Sequence, residues 1–157
     1  MKLRILAVLL FATELLLSTV GCSKKDDPGA KPTANTGRYL SDGRLVTCTA
    51  TVDLYTNAGR NFLTVDLTTT PQPAGGKETL RLIYIKDPSE PVSAYLLAQM
   101  QLFNSGAISV LYNAAAFTLI PTSRGGFSGT FSSGTQYPNP GITPHNFTSG
   151  VFTDVHR

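Results

Sequence analysis

The feature that most constrains this chain is a strict two-residue alternation. Val46, Cys48, Ala50, Val52 and Leu54 alternate with Thr47, Thr49, Thr51 and Asp53. Successive side chains of an extended strand point to opposite faces, so this run predicts a strand that is half buried and half wet. Leu63, Val65 and Leu67 repeat the pattern against Thr64, Asp66 and Thr68, after the turn formers Asn57-Ala58-Gly59. Two alternating runs joined by so short a turn predict an antiparallel hairpin.

Further along, Leu80 to Lys86 reads as a strand that is apolar on both sides except at Arg81. It follows a Pro- and Gly-rich loop, Pro71 to Lys77. Strands resume at Ile108 to Tyr112, at Phe117 to Ile120 and at Phe127 to Phe131, the last after an Arg124-Gly125-Gly126 turn. A proline-rich loop, Gly134 to Pro144, precedes a closing strand from Phe147 to Val155. Val92 to Phe103 admits two readings. Val92, Tyr95, Leu96, Met100 and Phe103 lie at helical spacing, whereas Leu96, Ala98, Met100 and Leu102 alternate. Good helix formers and a single β-branched residue favour the helix. The chain is therefore expected to be mainly β: an antiparallel β-sandwich or barrel of about 7–8 strands, with one short helix near 92–103.

The N-terminus obeys different rules. Lys2 and Arg4 precede an apolar run from Ile5 to Leu17, interrupted by Glu14. That run is shorter than the roughly 20 residues a spanning helix needs, and it has the layout of an export signal. Ser18, Thr19, Val20 and Gly21 then lead into Cys22. Small residues just before a cysteine resemble the lipobox of bacterial lipoproteins, with Thr19 where leucine is commonest. The resemblance implies cleavage before Cys22, lipidation of Cys22 and anchoring to a membrane through acyl chains. Lys24, Lys25, Asp26 and Asp27 follow. A lysine and two acidic residues at this place resemble the surface-export signal of Bacteroidetes lipoproteins, which implies an outer-membrane location facing the cell exterior. The C-terminal strings Gly126-Phe127-Ser128-Gly129-Thr130-Phe131 and Thr148-Ser149-Gly150-Val151-Phe152 resemble the closing hairpin of small uncharacterised lipoproteins of that group. No activity comes with that resemblance.

Three segments follow: a signal over 1–21, the lipidated Cys22 with a polar tether over 22–37, and a single β domain over 38–157. From Arg38 onward eight basic residues face seven acidic ones, which leaves no basic footprint for nucleic acid. With Cys22 consumed by lipid, Cys48 is alone, and its place in the alternation makes it a buried, inert thiol.

Chemistry-bearing patterns are sparse. His145 and His156 have no cysteine or acidic cluster at ligand spacing, so no metal and no cofactor are expected. The string around Ser128 lacks the spacing and the strand-to-helix context of a nucleophile elbow. Asp53 and Asp66 share the polar face of the first hairpin, which is the one carboxylate pair a hydrolase reading could use. Exposed aromatic rings are what sugar recognition needs, and Tyr55 and Tyr137, each beside turn formers, are the candidates; Tyr84 and Tyr112 read as core. The expected function is a non-enzymatic binding domain for a glycan, an apolar small molecule or an envelope protein. The rivals are a structural envelope lipoprotein and a hydrolase with an unrecognised site.

Overall fold

The computed structural model describes residues 33–70, 76–105, 107–136 and 145–157. Residues 1–32, with Cys22 and the Lys24, Lys25, Asp26, Asp27 run, and Tyr137 lie outside that set. Eight strands follow one another: β1 (Thr36–Ser41), β2 (Arg44–Asn57), β3 (Arg60–Thr69), β4 (Glu78–Lys86), β5 (Leu96–Asn104), β6 (Ala107–Pro121), β7 (Phe127–Gln136) and β8 (Phe147–Val155). Each pairs antiparallel with the next, and β8 returns to β1, closing an up-and-down barrel. Closure removes the unpaired sheet edges that would otherwise invite aggregation. β1 already begins at Thr36, so the last residues of the segment read as tether belong to the barrel.

The first hairpin is the one the alternation predicts. Ala50 faces Leu67, Val52 faces Val65 and Leu54 faces Leu63. The link is Ala58-Gly59, both at positive φ (48° and 74°), the mirror-image turn whose twist suits a hairpin. Asp42-Gly43 makes the same kind of turn between β1 and β2, with φ of 50° and 80°. Cys48, Ala50 and Val52 point inward and are buried, while Thr49, Thr51 and Asp53 are exposed.

The barrel interior is filled by side chains. Leu63, Val65, Leu67, Leu80, Leu82, Met100 and Val110 pack with Tyr39, Tyr84, Tyr112, Phe147 and Phe152, all within 2% of complete burial. The outward positions of β2 to β5 carry Thr, Asp, Arg and Gln, interspersed with Tyr55, Phe62, Ile83, Ile85 and Phe103.

Two sequence expectations are corrected. The stretch near 92–103 is not a helix: a single 3₁₀ turn, Val92–Ala94, leads into β5. The cause is a bulge. Ile83 pairs with Gln99 and Tyr84 with Leu97, so Ala98 has no partner across the ladder. The inward residues of β5 are therefore Leu97, Met100 and Leu102, spaced three and then two apart, and the three-residue step imitates a helix. Leu96, one of the residues that set the helical spacing, is 65% exposed. The second correction joins the strands expected at 108–112 and 117–120 into β6, whose irregular pairing with β7 around Ala114 masked its continuity.

Candidate functional site

The outward residues of β2 to β5 form a shallow groove of about 550 Å³. Register brings its lining together: Thr51 faces Asp66, Asp53 faces Thr64, Thr64 faces Ile83, Asp66 faces Arg81, and Arg81 faces Gln101. Residues from four strands thus meet on a rigid sheet face, where their positions are fixed by the ladder.

At one end of the groove stands Tyr55. It does not lie in a turn, as its neighbours suggested, but in β2, opposite Phe62. The two rings stack in parallel, with centroids 5.0 Å apart and planes within 3°. Phe62 backs one face of Tyr55 and fixes its orientation, and Tyr55 remains 42% exposed.

The floor is polar and ordered. Arg81 donates from Nε and Nη2 to the two oxygens of Asp66, each at 2.7 Å, and its guanidinium lies 5.0 Å from the centre of the Phe103 ring. Hydrogen bonding to Asp66 pushes the Arg81 pKa up. Gln101 Nε2 donates to Gln99 Oε1 at 2.8 Å. Asp53 Oδ1 accepts from the Leu54 backbone N–H at 2.8 Å, with Arg157 Nη2 at 3.7 Å. Asp53 and Asp66 do share a face, but Asp66 is bridged through both oxygens, a poor arrangement for acid–base work on a glycosidic bond. Among the described residues no three His, Cys, Asp or Glu side chains converge as metal ligands would.

Tyr55 lies near the end of the barrel that the β2–β3 turn closes. In an up-and-down barrel the β2–β3 turn closes one end, while the β1–β2, β3–β4, β5–β6 and β7–β8 connections leave the other. Tyr55 belongs to the groove, and Tyr137 lies outside the described residues.

The other end, the barrel mouth, is held by the two termini of its connections. Asp42, in the β1–β2 turn, accepts from the Asn146 backbone N–H at 2.8 Å and pairs with His145 Nδ1 at 2.7 Å. The Asn146 N–H, then His145, hold the Asp42 carboxyl below its ordinary range. The His145 backbone N–H donates to Tyr112 Oη at 3.3 Å. Beneath, Phe147 packs edge-on against Tyr39 and Tyr112. Cys48 is buried as expected, and burial followed by the nearby Glu78 carboxylate pushes its thiol up to about 12.

Sequence reasoning missed the groove's polar floor. Arg81 stood out as the one charge in an apolar run, but only the register pairs it with Asp66. No family model, no curated protein and no solved structure matches the chain.

Proposed function

We propose that this protein is an exported, lipid-anchored domain that binds a glycan in the outer groove of β2 to β5. The observation that carries the reading is the Tyr55 ring, fixed by Phe62 at the end of a groove lined with hydroxyl, carboxylate, amide and guanidinium groups. Sugar rings present an apolar face and a rim of hydroxyls. An oriented aromatic ring next to clustered donors and acceptors matches both. A glycan ligand is favoured over an apolar one because the inner space of the barrel is occupied by its own tyrosine, phenylalanine and leucine side chains.

Anchoring rests on Cys22 and its preceding small residues, and surface placement on Lys24, Lys25, Asp26 and Asp27. Several acyl chains, at about 0.8 kcal/mol per buried methylene, hold such a domain stably. Cys22→Ala is expected to release the chain from membranes, and intact mass of the unmodified protein to show a lipidated start at Cys22.

The groove is tested on a glycan array with the detergent-solubilised chain. Tyr55→Ala is expected to weaken the best glycan at least about tenfold, equivalent to about 1.4 kcal/mol, with the melting temperature unchanged. If no glycan binds at millimolar concentration, or if Tyr55→Ala binds as the parent does, the reading fails.

A further inference from the structure

The barrel mouth holds a second concavity, of about 520 Å³, lined by Asp42, Arg44, Thr69, Glu78 and His145 among others. Its charges are unevenly matched. Asp42 and His145 are paired with each other. Glu78 and Arg44 have no ion-pair partner among the described residues.

Glu78 is placed by register. It shares the inward parity of Leu80 and Leu82, faces Asn104 on β5, and its carbonyl accepts from Thr69 Oγ1 at 3.4 Å. It is half-buried. Below it lies Tyr39, wholly buried, whose hydroxyl interacts with Glu78 and Cys48. An inward, half-buried carboxylate without a counter-ion is unfavourable unless a cationic group joins it. In sequence, residues 71–75 and 137–144 contain no Asp, Glu, Lys, Arg or His. Lys77, next in sequence to Glu78, is exposed and forms no ion pair among the described residues.

We propose that the mouth binds a small zwitterion of the amino-acid class, with Glu78 taking its ammonium and Arg44 its carboxylate. Opposite charges on one open concavity select a ligand that carries both. A simple anion would meet Glu78 and Asp42, and a simple cation would leave Arg44 unmatched. The space accommodates a free amino acid or a dipeptide, and barrel mouths are a common place for small-ligand sites. This site lies away from the β2–β5 groove and does not depend on the glycan reading.

Isothermal titration of the full chain in detergent with each of the twenty free amino acids tests it. At least one is expected to bind with a Kd of about a millimolar or tighter. N-acetylation of that amino acid, which removes the ammonium, is expected to weaken it at least about tenfold, and so is conversion to the carboxamide, which removes the carboxylate. Glu78→Gln should abolish the sensitivity to N-acetylation, and Arg44→Gln, at an exposed position, the sensitivity to amidation. No binding by any amino acid overturns the proposal. So does equal binding of the blocked derivatives, or of both variants with the parent's discrimination intact.

Discussion

At the scale of single residues, the alternation in β2 has a chemical consequence at Cys48. An inward position buries the thiol and drives its pKa to about 12, so almost no thiolate exists near neutrality. In the full-length Cys22→Ala chain, Cys48 is the remaining thiol. It is expected to resist a disulfide reagent at pH 8 until denaturant is added, and rapid labelling of the native chain would refute the register. Cys48→Asp should cost several kcal/mol, on the order of an unpaired buried carboxylate, read as a drop in denaturation midpoint. Tyr84 poses the opposite case. Its hydroxyl is buried without a partner, and burial raises its pKa. Removing an unsatisfied polar atom from such a place is favourable, so Tyr84→Phe is expected to stabilise by about 1 kcal/mol in urea unfolding. A loss of that size would mean that the hydroxyl has a polar partner in solution.

At the scale of elements, the small-residue strings of β7 and β8 explain one another. Gly129 faces Phe152 and Gly150 faces Phe131 across the ladder. Each ring lies over the glycine of the opposite strand, and a Cβ at Gly150 would strike the Phe131 ring. Gly150→Ala is expected to destabilise by roughly 2 kcal/mol through forced displacement of that ring, measured as a lowered melting temperature. The same end of β8 ties down the β6–β7 turn. Asp154 accepts from Thr122 Oγ1 at 2.6 Å and pairs with His156 at 3.1 Å and Arg124 at 3.3 Å. The Thr122 hydroxyl first, then His156 and Arg124, hold its carboxyl below 3.8. A depressed folded pKa adds stability that is present above 3.8 and is lost as pH falls through the lowered value. Asp154→Asn should therefore flatten the acid limb of the stability curve below about pH 4. An unchanged limb would show that the contact contributes nothing measurable.

At the scale of the whole molecule, every pairing but one joins neighbours in sequence, and the exception, β1 with β8, closes the barrel. Deleting residues 148–157 would strip a partner from both β1 and β7 and open two edges at once. Such a chain is expected to lose its cooperative thermal transition and to aggregate, followed by circular dichroism and light scattering. Retention of a sharp transition near that of the parent would mean that closure adds little.

The alternation by itself determined the two strands of the first hairpin, their inward faces and the burial of Cys48, because a period of two leaves one way to bury the apolar face. The turn residues likewise set where the hairpins reverse. It was tertiary structure that decided the rest. Whether eight strands make two sheets or a closed barrel depends on the pairing of β1 with β8, residues more than a hundred positions apart that share no local signal. The bulge at Ala98 exists only against β4, so the spacing of β5 could imitate a helix when read alone. The groove has the same origin. Tyr55, Asp66, Arg81 and Gln101 come from four strands, and only the ladder sets them side by side. Local spacing carries the period of an element, whereas which elements meet is a free-energy choice made by the whole chain as it buries its apolar faces.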